Sequence, residues 1–478
     1  MPHRLYPERI DKSLSTTSRS DDIFPLPLTP FEQAMVIDDR RTYPMNCGAE
    51  FVFRGEGDPR ALQSAFKKAV ARHPMLRAGL HQDRRGGLSW VRTDRHPTLE
   101  WLNTDQPNSV FANPQPFDLY SEAPLRLWIV ADKETTRLQF EWHHACFDAV
   151  GGMLLIEDLF VAYDNEVGSS GKSVHLRVLD ENILAKRGGM SIAAGQSFWK
   201  RVVATWKDYR KSLHLSLHPP IPLAVPATQR AETAARGTRY IVEHFDFEFL
   251  RSLRHVASGH GATFNDFVVH QLFVVLNRWN KTHGLADPRS HIRVVLPMSL
   301  RGPLENEMSA ANCLSYAFVT RSHKQVSSDV NLLEGIRNET ESIRRYLLPV
   351  NMLKKLAWLN RLGMNMESFF RDDSCSATAL LTNLGDPTRR FYNRFPREDG
   401  YIRVGNMLLE NIVGIAPLRP LTRAVFDIFT YANRLSVALR CDPHCFNEVA
   451  TRQLLDAFLT QLRTTAEQAD TAAQPLAV

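Results

Sequence analysis

The sequence predicts a mixed α/β (α+β) protein built as two similar lobes. Three observations predict it. The 478 residues exceed what one hydrophobic core usually holds, so two units are expected. Helix-like and strand-like patterns interleave through both halves of the chain. Between the halves, "LHLSLHPPIPLAVPATQRAETAARGT" (213–238) gathers Pro219, Pro220, Pro222 and Pro226, a run that suits neither helix nor ladder and reads as a linker. The expected layout is a loose polar segment 1–23, an N-terminal lobe 24–212, the linker 213–238, a C-terminal lobe 239–468 and a tail 469–478.

The elements follow in order. "GDPRALQSAFKKAVARHPMLRAGL" opens with Asp58 as a helix cap and Pro59 at the first helical position. Leu62, Ala65, Phe66, Ala69 and Val70 share one face, and Pro74 marks the end. "RLWIVAD" and "TRLQFEWH" read as paired strands across a polar turn, and "GGMLLIEDLFVAYDN" as a helix. "WKRVVATWKDYRK" (199–211) and "RRYLLPVNMLKKLAWLNR" (344–361) read as amphipathic helices with their polar faces in solvent; the second is a candidate for peripheral membrane contact. In "TFNDFVVHQLFVVLNRWN", Thr263 and Asp266 have capping-box spacing above a stripe of Val268, Leu272, Val275, Leu276 and Trp279. "HIRVVLPMSL" reads as a buried strand, and "NEVATRQLLDAFLTQL" as a closing helix with Leu454, Leu455, Phe458 and Leu462 inward.

Composition narrows the function. The chain is 44% apolar and 23% charged, ordinary for a globular protein, and its net charge of +6 suits an anionic ligand. A nucleic-acid surface needs basic residues clustered beside exposed aromatics; the closest candidates, 199–211 and 344–361, read instead as the amphipathic helices above, so no nucleic-acid partner is expected. No apolar run reaches the ~18–20 residues of a membrane span. "MPHRLYPERIDKSLSTTSRSDD" has no apolar core segment, so no secretory signal is read there. Six scattered cysteines without a CxxC pair fit free thiols in a reducing, cytoplasmic setting.

Several chemical motifs fail on inspection. "VGSSGKS" (167–173) has Glu166 where a phosphate loop needs its first glycine, and reads as a polar surface loop. "GHGATF" has Phe264 where a dinucleotide loop needs its third glycine. No G-x-S-x-G elbow is present. "CDPHCF" brings Cys441, His444 and Cys445 together with too few ligands for zinc, and reads as a turn with free thiols.

One stretch remains, "HHACFDAVGG" (143–152). His143 and His144 end a strand, where neighbours point to opposite faces, so they do not share a metal ion. A histidine at a strand end, open to a cavity and followed by a loop and a helix, suits general-base work. Gly151 and Gly152 allow close backbone approach. Asp148 could stabilise an imidazolium directly or bind an arginine and hold the loop; its spacing from His144 favours the second role.

This stretch resembles the HHxxxDG signature of a superfamily that includes condensation domains of nonribosomal peptide synthetases, wax ester synthases, polyketide-associated acyltransferases and BAHD acyltransferases. Other stretches are similar to family elements in the expected order: "LTPFEQAM", "LQSAFKKAVARHPMLRAGL", "PFDLYSEAPLRLWIV", "GATFNDFVVHQLFVVLNRW", "VVLPMSLRGP", "LTNLG" and "FTYANRLSVALRCDPHCF". The likeness spans about residues 24–465. Ala149 departs from the glycine after the aspartate and Asn433 from a usual glycine, which leaves the subfamily and its substrate open.

The resemblance implies two chloramphenicol-acetyltransferase-like lobes, each a mixed sheet with flanking helices, meeting at a central tunnel. It implies His144 as general base, His143 as loop support, Asp148 as the structural aspartate and Arg301 as its partner, with Gly152 shaping the tunnel wall. Asn383 and Asn265 are candidate oxyanion or substrate contacts. The implied reaction is acyl transfer from coenzyme A or a carrier-protein thioester to a hydroxyl or amine. No permanently bound cofactor or metal is implied; the acyl-CoA or phosphopantetheinyl thioester is a co-substrate, and any carrier protein acts in trans. Two alternatives accompany this reading: a condensation-type enzyme joining two carrier-bound substrates, and a degenerate member that only binds.

Overall fold

The computed structural model describes residues 23–103, 114–168, 174–188, 192, 196–227, 240–285, 287–302, 307–363, 374–391 and 393–473. The expectations for the N-terminal segment to residue 22, for 169–173 and for 228–238 fall outside these residues.

Three sheets carry the fold. A seven-stranded sheet runs β12(Arg397–Glu398), β13(Tyr401–Val404), β14(Met407–Ile415), β2(Asn46–Arg54), β7(Thr135–His143), β6(Leu125–Ala131), β5(Thr98–Leu102). A six-stranded sheet runs β10(Leu314–Ser322), β9(His291–Ser299), β11(Ala379–Gly385), β15(Ala424–Tyr431), β16(Arg434–Cys441), β8(Ile241–Phe245). The small third sheet joins β1(Leu26–Pro27), β4(Leu88–Arg92) and β3(Ala78–Gln82). Each large sheet heads one lobe. The seven-stranded sheet is not drawn from the first half alone: β12, β13 and β14 come from the second half, and β14 pairs antiparallel with β2 from Leu408↔Arg54 to Ile415↔Gly48.

Helices cover one face of each large sheet. In the first lobe these are α1(Pro30–Asp38), α2(Pro59–Ala71) and α3(Ala149–Val167), while α4(Phe198–Leu217) packs on second-lobe helices through Glu339, Asn351 and Lys355. Asp58 caps α2, its side chain accepting from the Ala61 N–H, with Pro59 at the first position. Period-2 alternation along β7 sends Leu138, Phe140 and Trp142 into the helical core, where Phe51 and Phe53 meet Phe160 edge-on at 5.6 and 5.4 Å.

The second lobe has α5(Phe247–Gly259), α6(Phe264–Thr282), α7(His323–Ser328), α8(Leu332–Tyr346), α9(Leu348–Arg361) and α10(Glu448–Ala473). Thr263 and Asp266 form the capping box of α6. Ala424, Phe426 and Ile428 of β15 point into this lobe's own core, where Phe426 meets Phe458 at 5.1 Å. Their alternates, Asp427, Phe429 and Tyr431, point the other way, toward the first lobe.

Three expectations need correction. The 344–361 stretch is two helices: Leu347 takes φ +50° and Pro349 cannot extend the turn before it, so α8 ends and α9 begins there. Helix α4 continues to Leu217, into the segment expected to start the linker. Its orientation is also reversed, because Ala204 is its only buried residue and its aromatic stripe faces outward.

Candidate functional site

Strand β7 delivers the two histidines. His143, its last residue, pairs with Asn46 on β2. The chain then turns through Ala145 to Phe147, pinned by the Trp142 indole N–H donating to the Phe147 carbonyl at 3.0 Å, and enters α3.

His143 is buried and held in one tautomer. Its Nδ1 accepts the Ala145 N–H at 3.1 Å, so the proton sits on Nε2, which lies 3.5 Å from Oδ2 of Asp39. Asp39 is itself fixed by the Met45 N–H at 2.7 Å.

His144 is held by its backbone. Its N–H donates to the Met45 carbonyl at 2.7 Å, and its own carbonyl accepts from Asn312 Nδ2 at 2.7 Å. The residue is only 7% exposed, less open than a base facing a cavity was expected to be, and Nδ1 is buried without a hydrogen-bond partner. The His144 and Phe147 backbones lie near the ring without reaching hydrogen-bonding geometry at Nδ1. Burial pushes its pKa below the ordinary 6.5, against the opposing pull of the Asp148 charge.

Asp148 is the N-cap of α3 and the knot of the site. Its Oδ1 accepts the Gly151 N–H at 2.8 Å. Arg301 Nη1 reaches both carboxylate oxygens, at 2.7 and 2.6 Å, and the Cys313 N–H donates to Oδ2 at 2.9 Å. Arg301 Nη2 also donates to the Ala311 carbonyl at 2.6 Å. Asp148 thus forms its hydrogen bonds with the loop and the arginine, not with the imidazole.

A bridge from the second lobe completes the arrangement. After β9 the chain returns across the first lobe at 307–313 before entering β10. Ala310 donates to Nδ1 of His73 at 3.0 Å, Ala311 accepts from Arg301 and from the Asp148 N–H, and Asn312 holds His144. A Cβ on Gly151 would stand 2.8 Å from the Ala311 carbonyl oxygen, so close approach is demanded there. Gly152, the glycine singled out from sequence, has ordinary space instead, 3.5 Å from the Trp142 ring. Asp39, His73 and Asn312 were not recognised from sequence. His73 lies in the "RHP" turn, a visible signal; Asn312 has none, since its partner is 168 residues away.

The structure brings His143, His144, Asp148, Arg301 and Gly152 together. Asn383 and Asn265 form a separate pair, Asn383 Nδ2 donating to Asn265 Oδ1 at 3.3 Å, with no hydrogen bond to the His144 loop among the described residues. Beyond His143, the inward faces of the two large sheets carry buried ionisable groups. Burial pushes Glu141 up to about 7, against opposing hydrogen bonds from Asn46 and pull from Arg126. It pushes Asp427 up to about 8, against the Ala416 backbone and Arg440. Tyr240 donates to Glu50 at 2.8 Å in the same layer. Among the described residues no three His, Cys, Asp or Glu side chains are arranged to hold a metal ion.

Comparison with known proteins agrees with this architecture. An uncharacterized protein of Mycobacterium tuberculosis, Rv2305, is 25% identical over 306 residues, 61% of this chain and 65% of that protein. The chain thus spans just under two thirds of the length of the curated relatives it matches first. SgcC5 of Streptomyces globisporus shares the fold with a TM-score of 0.65 at 14% identity, covering 92% of this chain and 99% of that one. So does the starter condensation domain of rhizomide synthetase, solved as a mutant with C8-CoA and Leu-SNAC (TM-score 0.63, 12% identity, 93% and 94% covered). The condensation-domain family model matches residues 37–286, more than half of the chain, and this chain therefore belongs to the condensation-domain family.

Proposed function

We propose that the protein is an acyltransferase, with His144 as general base, moving an acyl group from a coenzyme A or carrier-protein thioester to a hydroxyl or amine. The observation that carries this reading is a neutral imidazole held at the end of β7 by a loop locked from both lobes. Burial keeps the ring unprotonated near neutral pH, the state a base needs. The lock (Asp148 on Arg301, Asn312 on the His144 carbonyl) fixes the backbone that carries it.

In the proposed step the acceptor hydroxyl or amine attacks the thioester carbonyl while His144 removes its proton. The tetrahedral adduct then collapses, the C–S bond breaks, and the imidazolium returns the proton to the leaving thiolate. One histidine serves both transfers and no covalent enzyme intermediate is needed. A base so matched contributes about 10²–10⁴-fold. Support for a thioester donor comes from the rhizomide starter domain, which was crystallised with C8-CoA.

The test is thiol release from acetyl- and medium-chain acyl-CoA with a panel of alcohols and amines. Acceptor-dependent release should appear with the wild type and fall at least about 10²-fold in His144→Ala. Release unchanged in the variant would remove His144 from the reaction. The family match favours a second reading, condensation of two carrier-bound substrates. It expects no release from free acyl-CoA and product only when donor and acceptor are both tethered to carrier proteins.

A further inference from the structure

Helix α4 is amphipathic and lies on the protein the wrong way round. Its inward side is polar: Asp208 pairs with Lys355 at 2.5 Å, Lys211 with Glu339, and Lys355 also reaches Ser212. Asn351 Nδ2 donates to the Ala204 carbonyl at 3.4 Å, and Arg293 donates to the Leu215 carbonyl at 2.8 Å. These bonds fix the roll of the helix, so its other side cannot turn inward.

That other side is apolar. Trp199, Val202, Val203, Trp206, Leu213 and Leu217 recur at helical spacing and are all exposed, Trp199 by 74% and Trp206 by 56%. On a wheel of 100° per residue they fill an arc of roughly 100°, which Phe198 and Tyr209 widen, along a helix about 30 Å long. On the adjoining helix α9, Trp358 is 60% exposed. An apolar face of this size needs an explanation in a water-soluble setting.

The charge around it indicates the partner. Arg210 stacks over Trp206 at 4.8 Å within the arc, and Lys200 is exposed at its flank. Tryptophan and tyrosine on an apolar face, edged by lysine and arginine, match the chemistry of an anionic bilayer surface, where rings sit at headgroup depth and cations meet phosphates. No helix among the described residues is long and apolar enough to cross a membrane, so the contact would lie in the surface plane.

We infer that α4, with the end of α9, docks this protein on an anionic lipid membrane. The inference does not depend on the proposed acyl transfer, and its test measures binding alone. The full chain is sedimented with vesicles of equal phosphatidylglycerol and phosphatidylcholine, and separately with phosphatidylcholine alone. Binding is expected to the anionic vesicles, weaker to the neutral ones. The double variant Trp199→Ser/Trp206→Ser should lose at least about tenfold in partitioning while keeping the wild-type melting temperature, because both side chains are on the surface. Lys200→Glu/Arg210→Glu should weaken binding to the anionic vesicles alone. The inference is overturned if neither vesicle binds, if the tryptophan variant binds undiminished, or if the wild type is instead a dimer that this variant dissociates.

Discussion

Arg301 donates to both oxygens of Asp148 and to the Ala311 carbonyl, so one side chain ties the histidine loop to the bridge from the second lobe. Removing it would leave a buried carboxylate without its countercharge. Arg301→Ala is therefore expected to cost about 3–5 kcal/mol in urea unfolding, and to slow thiol release as well. An unchanged unfolding midpoint would mean that the pair braces nothing. This part of the site was legible because its chemistry is local: His143, His144 and Asp148 fall within six positions, and an arginine closes a buried carboxylate. Asn312 was not legible. Nothing near "SAANC" marks one amide as the group that grips His144, since its partner becomes a neighbour only after folding.

At the scale of elements, the turn into α3 depends on a glycine. Gly151→Ala would drive a methyl group to 2.8 Å from the Ala311 carbonyl oxygen, a backbone atom that cannot step aside cheaply. A loss of about 1–3 kcal/mol is expected. Gly152→Ala, one residue on, meets only the Trp142 ring at contact distance and should be neutral or slightly stabilising, as alanine suits a helix better. Thermal melting of the two variants separates these outcomes; equal effects would contradict the close approach. The β15–β16 hairpin shows how a departure from a family pattern is absorbed. Ala432 and Asn433 both take positive φ, +47° and +59°, in a two-residue turn, and asparagine tolerates that region better than most residues. Helix periodicity was legible in α4, but which face turns inward was not. That depended on the ion pairs to Lys355 and Glu339, which periodicity does not encode.

The whole molecule places two sheets face to face with ionisable residues between them. The two-lobed class was legible from interleaved patterns, whereas the transfer of β12–β14 into the first lobe's sheet was not. Pairing across more than 350 residues leaves no local trace. Asp427 reports on the buried layer. Its folded-state pKa, about 8, lies above its ordinary 3.8, so the fold resists its ionised form. The stability tied to this group is whole below about pH 4 and is lost as pH rises through about 8. Asp427→Asn removes that titration. Its unfolding free energy should gain on the wild type between those limits and level off above them, by about 2–5 kcal/mol. A pH-independent difference would place Asp427 in contact with solvent. His144 stands at the junction of the lobes, and its ionisation tests the central claim most directly. The measurement is the acceptor-dependent rate of thiol release from acyl-CoA between pH 5 and 8, for the wild type and His144→Gln. The expected wild-type rate is flat near neutrality and falls through one protonation below pH 6.5, with the variant slower by at least about 10²-fold and lacking that limb. The same limb in both proteins, at comparable rates, would contradict the assignment of His144 as the base.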